Sequence, residues 1–202
     1  MKTLSRAKLF VFEGPDGVGK STIAARLQQE LNTGIETVVT GAFPGNAPGS
    51  LGKHVYDLHH TPEQFGVNQL RPDSLQLLHV AAHLDAIHGW IAAARETGKI
   101  VLLDRFWWST YVYGLVAGLP EATIAAIVGV ELPFWRSNPP DAVFLVNRPS
   151  SQGKADAALV SAYRNLADRE REFTPVHELV NDNTLEAMTR LVISQMQRSD
   201  GN

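Results

Sequence analysis

The sequence predicts an α/β fold with a mostly parallel sheet between layers of helices, and three observations carry that prediction. Short apolar runs alternate with longer segments whose apolar residues recur at helical spacing. A glycine-rich turn joins the first apolar run to the first helical segment. With 202 residues, of which 44% are hydrophobic, the chain can bury both faces of such a sheet. We therefore expect one three-layer domain over residues 1–202.

The apolar runs and the segments between them define the predicted elements. The predicted strands are Leu9–Phe12, Ile35–Val39, Ile100–Leu103, Ala142–Val146 and a short one near Val176. The predicted helices run from Thr22 to Leu31, from Ser74 to Glu96 with Ser74 as N-cap, from Ala157 to Glu170, and onward from Thr184. Strands that are connected through helices form right-handed crossovers, so the strands should be parallel. Ligands of such sheets bind beyond the carboxyl ends of the strands.

Composition narrows the classes of partner. The formal net charge is -3, the pI is near 6.1, and no dense run of Lys and Arg is present, which argues against a nucleic-acid or membrane-surface binder. The chain contains no cysteine, so it has neither disulfides nor a cysteine-based zinc site. No stretch approaches the ~18 consecutive apolar residues of a membrane span. We expect small-molecule partners, no nucleic acid, no membrane, and a cytoplasmic location.

The most specific signal is a phosphate-binding loop that fits G-x-x-x-x-G-K-[ST] in full, between a predicted strand and a predicted helix. Glycines let the backbone curl so that successive N–H groups face a phosphate, and the first helical turn adds unpaired donors. Lys20 would neutralise the β- and γ-phosphate oxygens of ATP, and Ser21 would ligate Mg²⁺. The predicted ATP and phosphate ligands in this segment are Gly14, Pro15, Asp16, Gly17, Val18, Gly19, Lys20, Ser21 and Thr22.

A polar pair follows the third predicted strand. Asp104 ends that strand, where an acidic residue can hold Mg²⁺ directly or through a bound water. Arg105 comes next and can hold an acceptor phosphate with its guanidinium fork. Together with Lys20, these two residues are the predicted catalytic group. The alternative is an ordinary surface ion pair, because an acidic and a basic neighbour after a strand form a weak pattern by themselves.

The order and spacing of these residues resemble the thymidylate kinase family. The resemblance rests on Asp16 in the loop, the run Asp104-Arg105-Phe106, and Ser109 followed by Tyr113, and it covers roughly residues 8–148. It implies the fold of P-loop nucleotide kinases, with a five-stranded parallel sheet in the order 2-3-1-4-5. It also implies transfer of the γ-phosphoryl group of ATP to dTMP with Mg²⁺ as cofactor, and it allows for a homodimer.

The resemblance further implies which residues contact the acceptor. Family members place the counterpart of Asp16 against the acceptor's 3′-hydroxyl and clamp its phosphate with the arginine at the position of Arg105. Thr110 falls at the position that contacts the pyrimidine edge, and Tyr113 at the position where a ring crowds the sugar 2′ position. Phe43 lies in the family's acceptor-side loop after the second strand. Thr110 and Tyr113 could instead be packing residues of a helix.

The long helix departs from the family pattern at two positions. His79 and His83 stand where family members have a phenylalanine and an arginine that stack on thymine and hydrogen-bond to it. Imidazole can do both, but it lacks the fixed charge and the fork of a guanidinium, so the base preference can relax or change. Either histidine could also be an ordinary helix residue with a polar tip.

The predicted lid, about residues 147–158, also departs from the pattern because it lacks the family's run of arginines. Arg148 is its predicted contact to the donor phosphates. Arg164 and Arg169 are further candidates, although surface salt bridges explain all three arginines as well. An arginine on the transferring phosphoryl group contributes about 10³–10⁵ in rate. The departures leave two alternatives: a P-loop kinase for a different nucleotide, nucleoside or small metabolite, and a catalytically degenerate ATP-binding regulatory protein.

Overall fold

A five-stranded parallel sheet forms the centre of the molecule and positions the site. The computed structural model describes residues 7–32, 37–149 and 154–198, with the backbone alone for residues 154–156. The strands are β1 (Leu9–Glu13), β2 (Val38–Ala42), β3 (Ile100–Asp104), β4 (Ala142–Asn147) and β5 (Val176–Val180). Neighbouring strands are parallel and follow the order β2-β3-β1-β4-β5. The predicted fold class, strand number and strand order are confirmed.

The inner strands are buried because helices cover both faces of the sheet. Along β1, Leu9 to Phe12 are each 0% exposed. Successive side chains point to opposite faces, so Leu9 and Val11 join one core while Phe10 and Phe12 join the other. Phe144 of β4 stacks on Phe12 with 5.2 Å between the ring centroids. A strand that is buried on both faces therefore reads as a continuous apolar run, as β1 does.

The helices flank the sheet and extend beyond its carboxyl edge. Their bounds are α1 (Lys20–Leu31), α2 (Leu51–His60), α3 (Pro72–Ala86), α4 (Ala92–Glu96), α5 (Trp107–Val116), α6 (Glu121–Val128), α7 (Leu132–Ser137), α8 (Lys154–Glu170) and α9 (Leu185–Arg198). A 3₁₀ turn occupies Pro62–Phe65, and a π-helical turn occupies Ile87–Ile91. Within the described parts of the chain, no helix is long and apolar enough to cross a membrane.

The long helix that the sequence predicts from Ser74 starts earlier and is interrupted. α3 begins at Pro72 with Arg71 as its N-cap residue, so the predicted capping role of Ser74 is wrong. Proline suits the first turn of a helix because it has no N–H group to leave unpaired. The π-helical turn Ile87–Ile91 then separates α3 from α4. Apolar spacing does not reveal it, because one wider turn hardly disturbs the periodicity.

The second strand also differs from its predicted bounds. The sequence predicts a strand that ends at Val39, but β2 continues to Ala42. Its pairing with β3 places Ala42 opposite Asp104 and carries the strand through Gly41. A Cβ at Gly41 would lie 2.2 Å from the ring of Trp90 in the π-helical turn. The sequence pattern places Gly41 in a loop, but in the structure Gly41 lies within β2, at a point where a ring comes close to the strand.

Replacing Gly41 by alanine should lower the free energy of unfolding by about 1–3 kcal/mol, because the new methyl group overlaps the Trp90 ring and overpacks the contact. Gly89→Ala is the matched control, since nothing lies within 4 Å of a Cβ added at that position of the same turn. Urea unfolding followed by circular dichroism measures both variants. Equal stability of the Gly41→Ala variant and the unmodified protein would contradict this close packing.

Candidate active site

The phosphate loop connects β1 to α1 and has the shape that its glycines allow. Gly14, Gly17 and Gly19 have φ angles of 134°, 75° and 98°, in a region that residues with a side chain rarely adopt. α1 begins without a side-chain cap, so the amide donors of its first turn are available to a ligand. The loop borders a cleft of about 250 Å³ that is lined by Asp16, Gly17, Gly19, Lys20, Ser21, Thr22, Asp104 and Arg105. The predicted catalytic group and most predicted phosphate ligands thus share one cleft.

Asn181 supports the phosphate loop from behind the cleft. Val18 is fully buried, and its carbonyl accepts a hydrogen bond of 2.7 Å from the side chain of Asn181. A Cβ at Gly19 would lie 2.5 Å from the same amide nitrogen. Asn181 directly follows β5, so it fixes the loop from a strand at the far edge of the sheet. Nothing in the sequence pattern indicated this residue.

Lys20 is turned inward onto the loop. Its Nζ donates to the carbonyls of Gly14 and Pro15, at 3.0 and 2.6 Å, and the residue is 5% exposed. Burial lowers the pKa of Lys20 to about 8; the charge of Arg105 adds to this fall, and nearby carboxylates oppose it in part. Because burial disfavours the charged form, a negatively charged phosphate beside Lys20 would stabilise its ammonium strongly.

Ser21 and Asp104 meet beside the loop. Ser21 Oγ donates a hydrogen bond to Asp104 Oδ2. The other carboxylate oxygen, Oδ1, is buried and has no hydrogen-bond partner among the described residues. A buried oxygen without a donor is costly, and a divalent cation or one of its waters would satisfy it. This donor set fits Mg²⁺, the ion that the sequence predicts here.

Arg105 occupies the turn between β3 and α5. Its φ of 73° makes it the one non-glycine residue with a left-handed backbone in the described chain. The guanidinium Nη1 donates to the Gly14 carbonyl, to Ser109 Oγ and to the Tyr163 hydroxyl, at 3.2, 2.7 and 3.1 Å. Nη2 donates to Asp16 Oδ1 at 2.5 Å. One end of the guanidinium is therefore held inside the protein, and the other lies beside the exposed Asp16.

Asp16 and Tyr113 complete this end of the cleft. The Tyr113 hydroxyl donates to Asp16 Oδ2 at 2.7 Å. Burial raises the pKa of Tyr113 to about 12, so the phenol keeps its proton at neutral pH. Burial also opposes ionisation of Asp16, but Arg105, the Tyr113 hydrogen bond and Lys20 outweigh it and lower the pKa of this carboxyl group. An ionised Asp16 can accept a hydrogen bond from a ligand hydroxyl.

Glu13 organises the turn that carries Arg105, and the sequence analysis missed it. Its buried Oε1 accepts from the backbone N–H groups of Phe106 and Ser109, at 2.9 and 3.1 Å, while Oε2 accepts from Ser109 Oγ at 2.7 Å. The carboxylate thus caps α5 from the end of β1. The local N-cap residue, Phe106, supplies no side-chain hydrogen bond of its own. Burial raises the pKa of Glu13, although Arg105 opposes the shift. The one available signal was an acidic residue at the end of an apolar run.

His83 is fixed by a buried acidic partner that the sequence did not reveal. It is 2% exposed, and its Nδ1 lies 2.9 Å from Glu131 Oε1. Because an ionised carboxylate only accepts, Nδ1 carries the proton. The other oxygen of Glu131 accepts from Trp135 Nε1 at 2.8 Å. Phe43, a predicted acceptor contact, stacks on the His83 ring at 4.1 Å between centroids. Of the two His83 ring nitrogens, Nε2 is the one left for a ligand.

His79 and Thr110 lie on α3 and α5, which pack together. The Nε2 of His79 is buried and has no hydrogen-bond partner among the described residues. Burial lowers the pKa of His79 to about 3, with smaller contributions from neighbouring histidines and Arg105, so its ring is neutral. Thr110 is 2% exposed. Both residues stay predicted acceptor contacts, and His79 has a nitrogen that lacks a protein partner.

The predicted lid is partly described. Residues 150–153 lie outside the described chain, and α8 begins at Lys154, earlier than the predicted helix start. Arg148 is exposed just after β4, and its contact to the donor phosphates stays a prediction. Arg169 pairs with an acidic side chain at 2.8 Å, and Arg164 lies 3.6 Å from another. These pairs match the salt-bridge interpretation of Arg164 and Arg169.

Comparisons with known proteins agree with the geometry. The sequence model of the family described as thymidylate kinase matches residues 12–199. The chain is 35% identical to the thymidylate kinase of Chlamydia trachomatis serovar L2 over 148 residues, which cover 71% of this chain and 68% of that protein. It is 34% identical to the thymidylate kinase of Afipia carboxidovorans over 187 residues, or 88% of this chain and 75% of that protein.

A solved structure has the same fold. The crystal structure of thymidylate kinase from Ehrlichia chaffeensis matches with a TM-score of 0.77 and 21% sequence identity, over 95% of this chain and 99% of that one. At this identity the likeness establishes the fold, whereas the family rests on the sequence matches. The family match extends over the phosphate loop, the Arg105 turn and the helices that follow, and this chain therefore belongs to the thymidylate kinase family.

Proposed function

We propose that this chain transfers the γ-phosphoryl group of ATP to dTMP and releases ADP and dTDP. Membership of the thymidylate kinase family supports this reaction. The observation that carries the residue assignments is the direct hydrogen bonding of Arg105 to both Gly14 and Asp16 of the phosphate loop. A donor polyphosphate on the loop and an acceptor phosphate on Arg105 would then lie side by side, as transfer between two bound nucleotides requires.

The donor side supplies positive charge and alignment. Phosphoryl transfer passes through a loose transition state with charge on the equatorial oxygens, so the site needs electrostatic stabilisation more than a strong base. Lys20 would exchange its two loop carbonyls for the β- and γ-phosphate oxygens, and the loop amides would bind the remaining oxygens. Mg²⁺ held by Ser21 and Asp104 would neutralise phosphate charge. Arg148 is the proposed further contact to the donor.

The acceptor side combines a clamp with a sugar contact. Arg105 would bind the dTMP phosphate through Nη2, the end of the guanidinium that lies beside Asp16. Asp16 would accept a hydrogen bond from the 3′-hydroxyl, and Tyr113 would occupy the space next to the sugar 2′ position. Phe43, His79, His83 and Thr110 are the proposed surroundings of the base. A homodimer, a cytoplasmic location and the absence of nucleic-acid partners stay predictions.

A broader acceptor range is the second candidate, and the His83–Glu131 hydrogen bond favours it. Glu131 accepts from Nδ1 of His83, so the neutral form of the ring presents Nε2 as an acceptor. An arginine at this position would donate hydrogen bonds in every protonation state. A pyrimidine with an amino group at position 4 would therefore bind more favourably here than beside an arginine, because its amino group would face an acceptor and not a second donor. This difference supports acceptance of deoxynucleotides other than dTMP.

Replacing Arg105 by alanine should lower kcat/KM for dTMP by about 100-fold or more, because the acceptor phosphate loses a charged partner in a desolvated site. KM for ATP should stay nearly unchanged. Arg169→Ala is the control, because Arg169 pairs with Glu121 away from the cleft. A coupled assay of ADP release measures all three proteins. An unchanged acceptor KM in Arg105→Ala would indicate an acceptor that lacks a phosphate group.

The kcat/KM for ATP should fall as the pH rises through about 8, because the pKa of Lys20 lies there in the free protein. The sign follows from the lowered pKa, since the ammonium is present below it and is lost above it. The kcat should persist to higher pH, because bound phosphates stabilise the ammonium. Initial rates at saturating dTMP, with circular dichroism to verify folding at each pH, make the measurement. A kcat/KM for ATP that is flat well above this pH would contradict the assigned role.

Replacing His83 by arginine should raise the ratio of kcat/KM for dTMP to that for dCMP. Guanidinium donates to the 4-carbonyl group of thymine, but it cannot pair with the 4-amino group of cytosine. Trp135→Phe is the control, because it removes a hydrogen bond to Glu131 and leaves the Glu131 contact to His83. The same ADP-release assay gives both constants. If the ratio is the same in the His83→Arg variant, then His83 does not contact the base.

A further inference from the structure

The acceptor clamp depends on a side chain from a distant helix. Tyr163 lies on α8, 58 residues after Arg105, and is 0% exposed. Its hydroxyl accepts from Arg105 Nη1 at 3.1 Å and lies 2.8 Å from Ser109 Oγ. Both partners belong to the turn and first helical residues that present the guanidinium. The ring of Tyr163 packs in the core, and its hydroxyl group hydrogen-bonds to Arg105 and Ser109.

The hydrogen-bond directions in this cluster follow from the number of protons. Ser109 has one hydroxyl proton and donates it to Glu13 Oε2, an oxygen that only accepts when ionised. Ser109 Oγ must then act as the acceptor toward the Tyr163 hydroxyl. The Tyr163 oxygen in turn accepts from Arg105. The result is a directed chain of donors from the Arg105 guanidinium through Tyr163 and Ser109 to the carboxylate of Glu13.

Such a chain orients the guanidinium. It begins at a cation and ends at a buried anion, and hydrogen bonds that point the same way polarise one another in a low-dielectric interior. Glu13 also receives two backbone N–H bonds, so its position is set by β1 and α5 together. Nη1 is fully engaged with Gly14, Ser109 and Tyr163. The clamp is thereby fixed with its Nη2 end beside Asp16.

We propose that Tyr163 is a positioning residue of the kinase reaction: it holds Arg105, through the chain to Ser109 and Glu13, in the orientation that binds the acceptor phosphate. This inference rests on the proposed function, because it gives Arg105 the role of acceptor clamp. A phenylalanine would fill the same space in the core. The hydroxyl group therefore contributes to acceptor binding and not to packing.

Tyr163→Phe tests the proposal in the full-length protein. We expect KM for dTMP to rise about tenfold, as for loss of a hydrogen bond to a charged group, while KM for ATP stays nearly unchanged. Tyr111→Phe is the matched control. It removes a tyrosine hydroxyl that bonds to Glu121 and Arg169, remote from the cleft, and should leave both constants unchanged. Thermal unfolding of both variants separates acceptor binding from stability.

A double-mutant comparison tests the chain itself. Ser109→Ala interrupts the chain at its middle and should also raise KM for dTMP. Because both hydroxyl groups bond to Nη1 of Arg105 and to each other, they act as one unit, and the Tyr163→Phe/Ser109→Ala variant should be little worse than the poorer single variant. Arg105 is retained in all of these proteins, so their activities stay measurable.

Three outcomes would overturn this inference. The first is an unchanged KM for dTMP in Tyr163→Phe, whatever its melting temperature. The second is an equal rise in the KM values for ATP and dTMP, which indicates a general structural loss. The third is a double variant whose loss equals the product of the single losses, which indicates independent effects. If the unmodified protein fails to phosphorylate dTMP, the proposed function itself falls, and this inference falls with it.

Discussion

The guanidinium of Arg105 is the interaction on which the rest of the site depends. It hydrogen-bonds to Gly14 at the start of the phosphate loop, to Asp16 within it, and to side chains of α5 and α8. The phosphate loop and the turn after β3 are therefore one hydrogen-bonded unit. A left-handed backbone at a residue with a side chain costs about 1–3 kcal/mol. These four hydrogen bonds of the guanidinium offset this strain.

Three buried ionisable groups lie around the phosphate loop and the turn after β3. Glu13, Lys20 and Asp104 are each less than 10% exposed, and all three lie at or next to the ends of β1 and β3. Burial raises the pKa of Glu13 and lowers that of Lys20, so both groups are held where their charged forms are less favourable than in water. A site of this kind binds a polyphosphate and its cation well, because they supply the charges that the free protein lacks.

His83, a proposed base contact, is one of the positions at which this chain departs from the family pattern. His83 does not project as a free side chain from α3, because Glu131 and Phe43 hold its ring on one edge and one face. The second carboxylate oxygen of Glu131 accepts a hydrogen bond from Trp135 Nε1. An arginine would keep its charge and its donors at any pH, whereas this imidazole has one proton fixed by a buried partner. The His83 ring is thus positioned by the N-cap residue of α7 as well as by its own helix, α3.

The sequence by itself determined the fold class and the phosphate loop, because apolar periodicity and the glycine, lysine and serine spacing are local properties of the chain. The strand order was predicted only through the resemblance to a known family. The sequence also placed Asp104 and Arg105 at a strand end, where a parallel sheet collects its ligands. Tertiary structure decided the partners of these residues: Glu13 as a cap on another element, Tyr163 on α8, Glu131 beside His83, and Trp90 against Gly41. Each of these contacts joins residues far apart in the chain, and no local pattern encodes which distant side chain will satisfy a buried charge or fill the space beside a glycine.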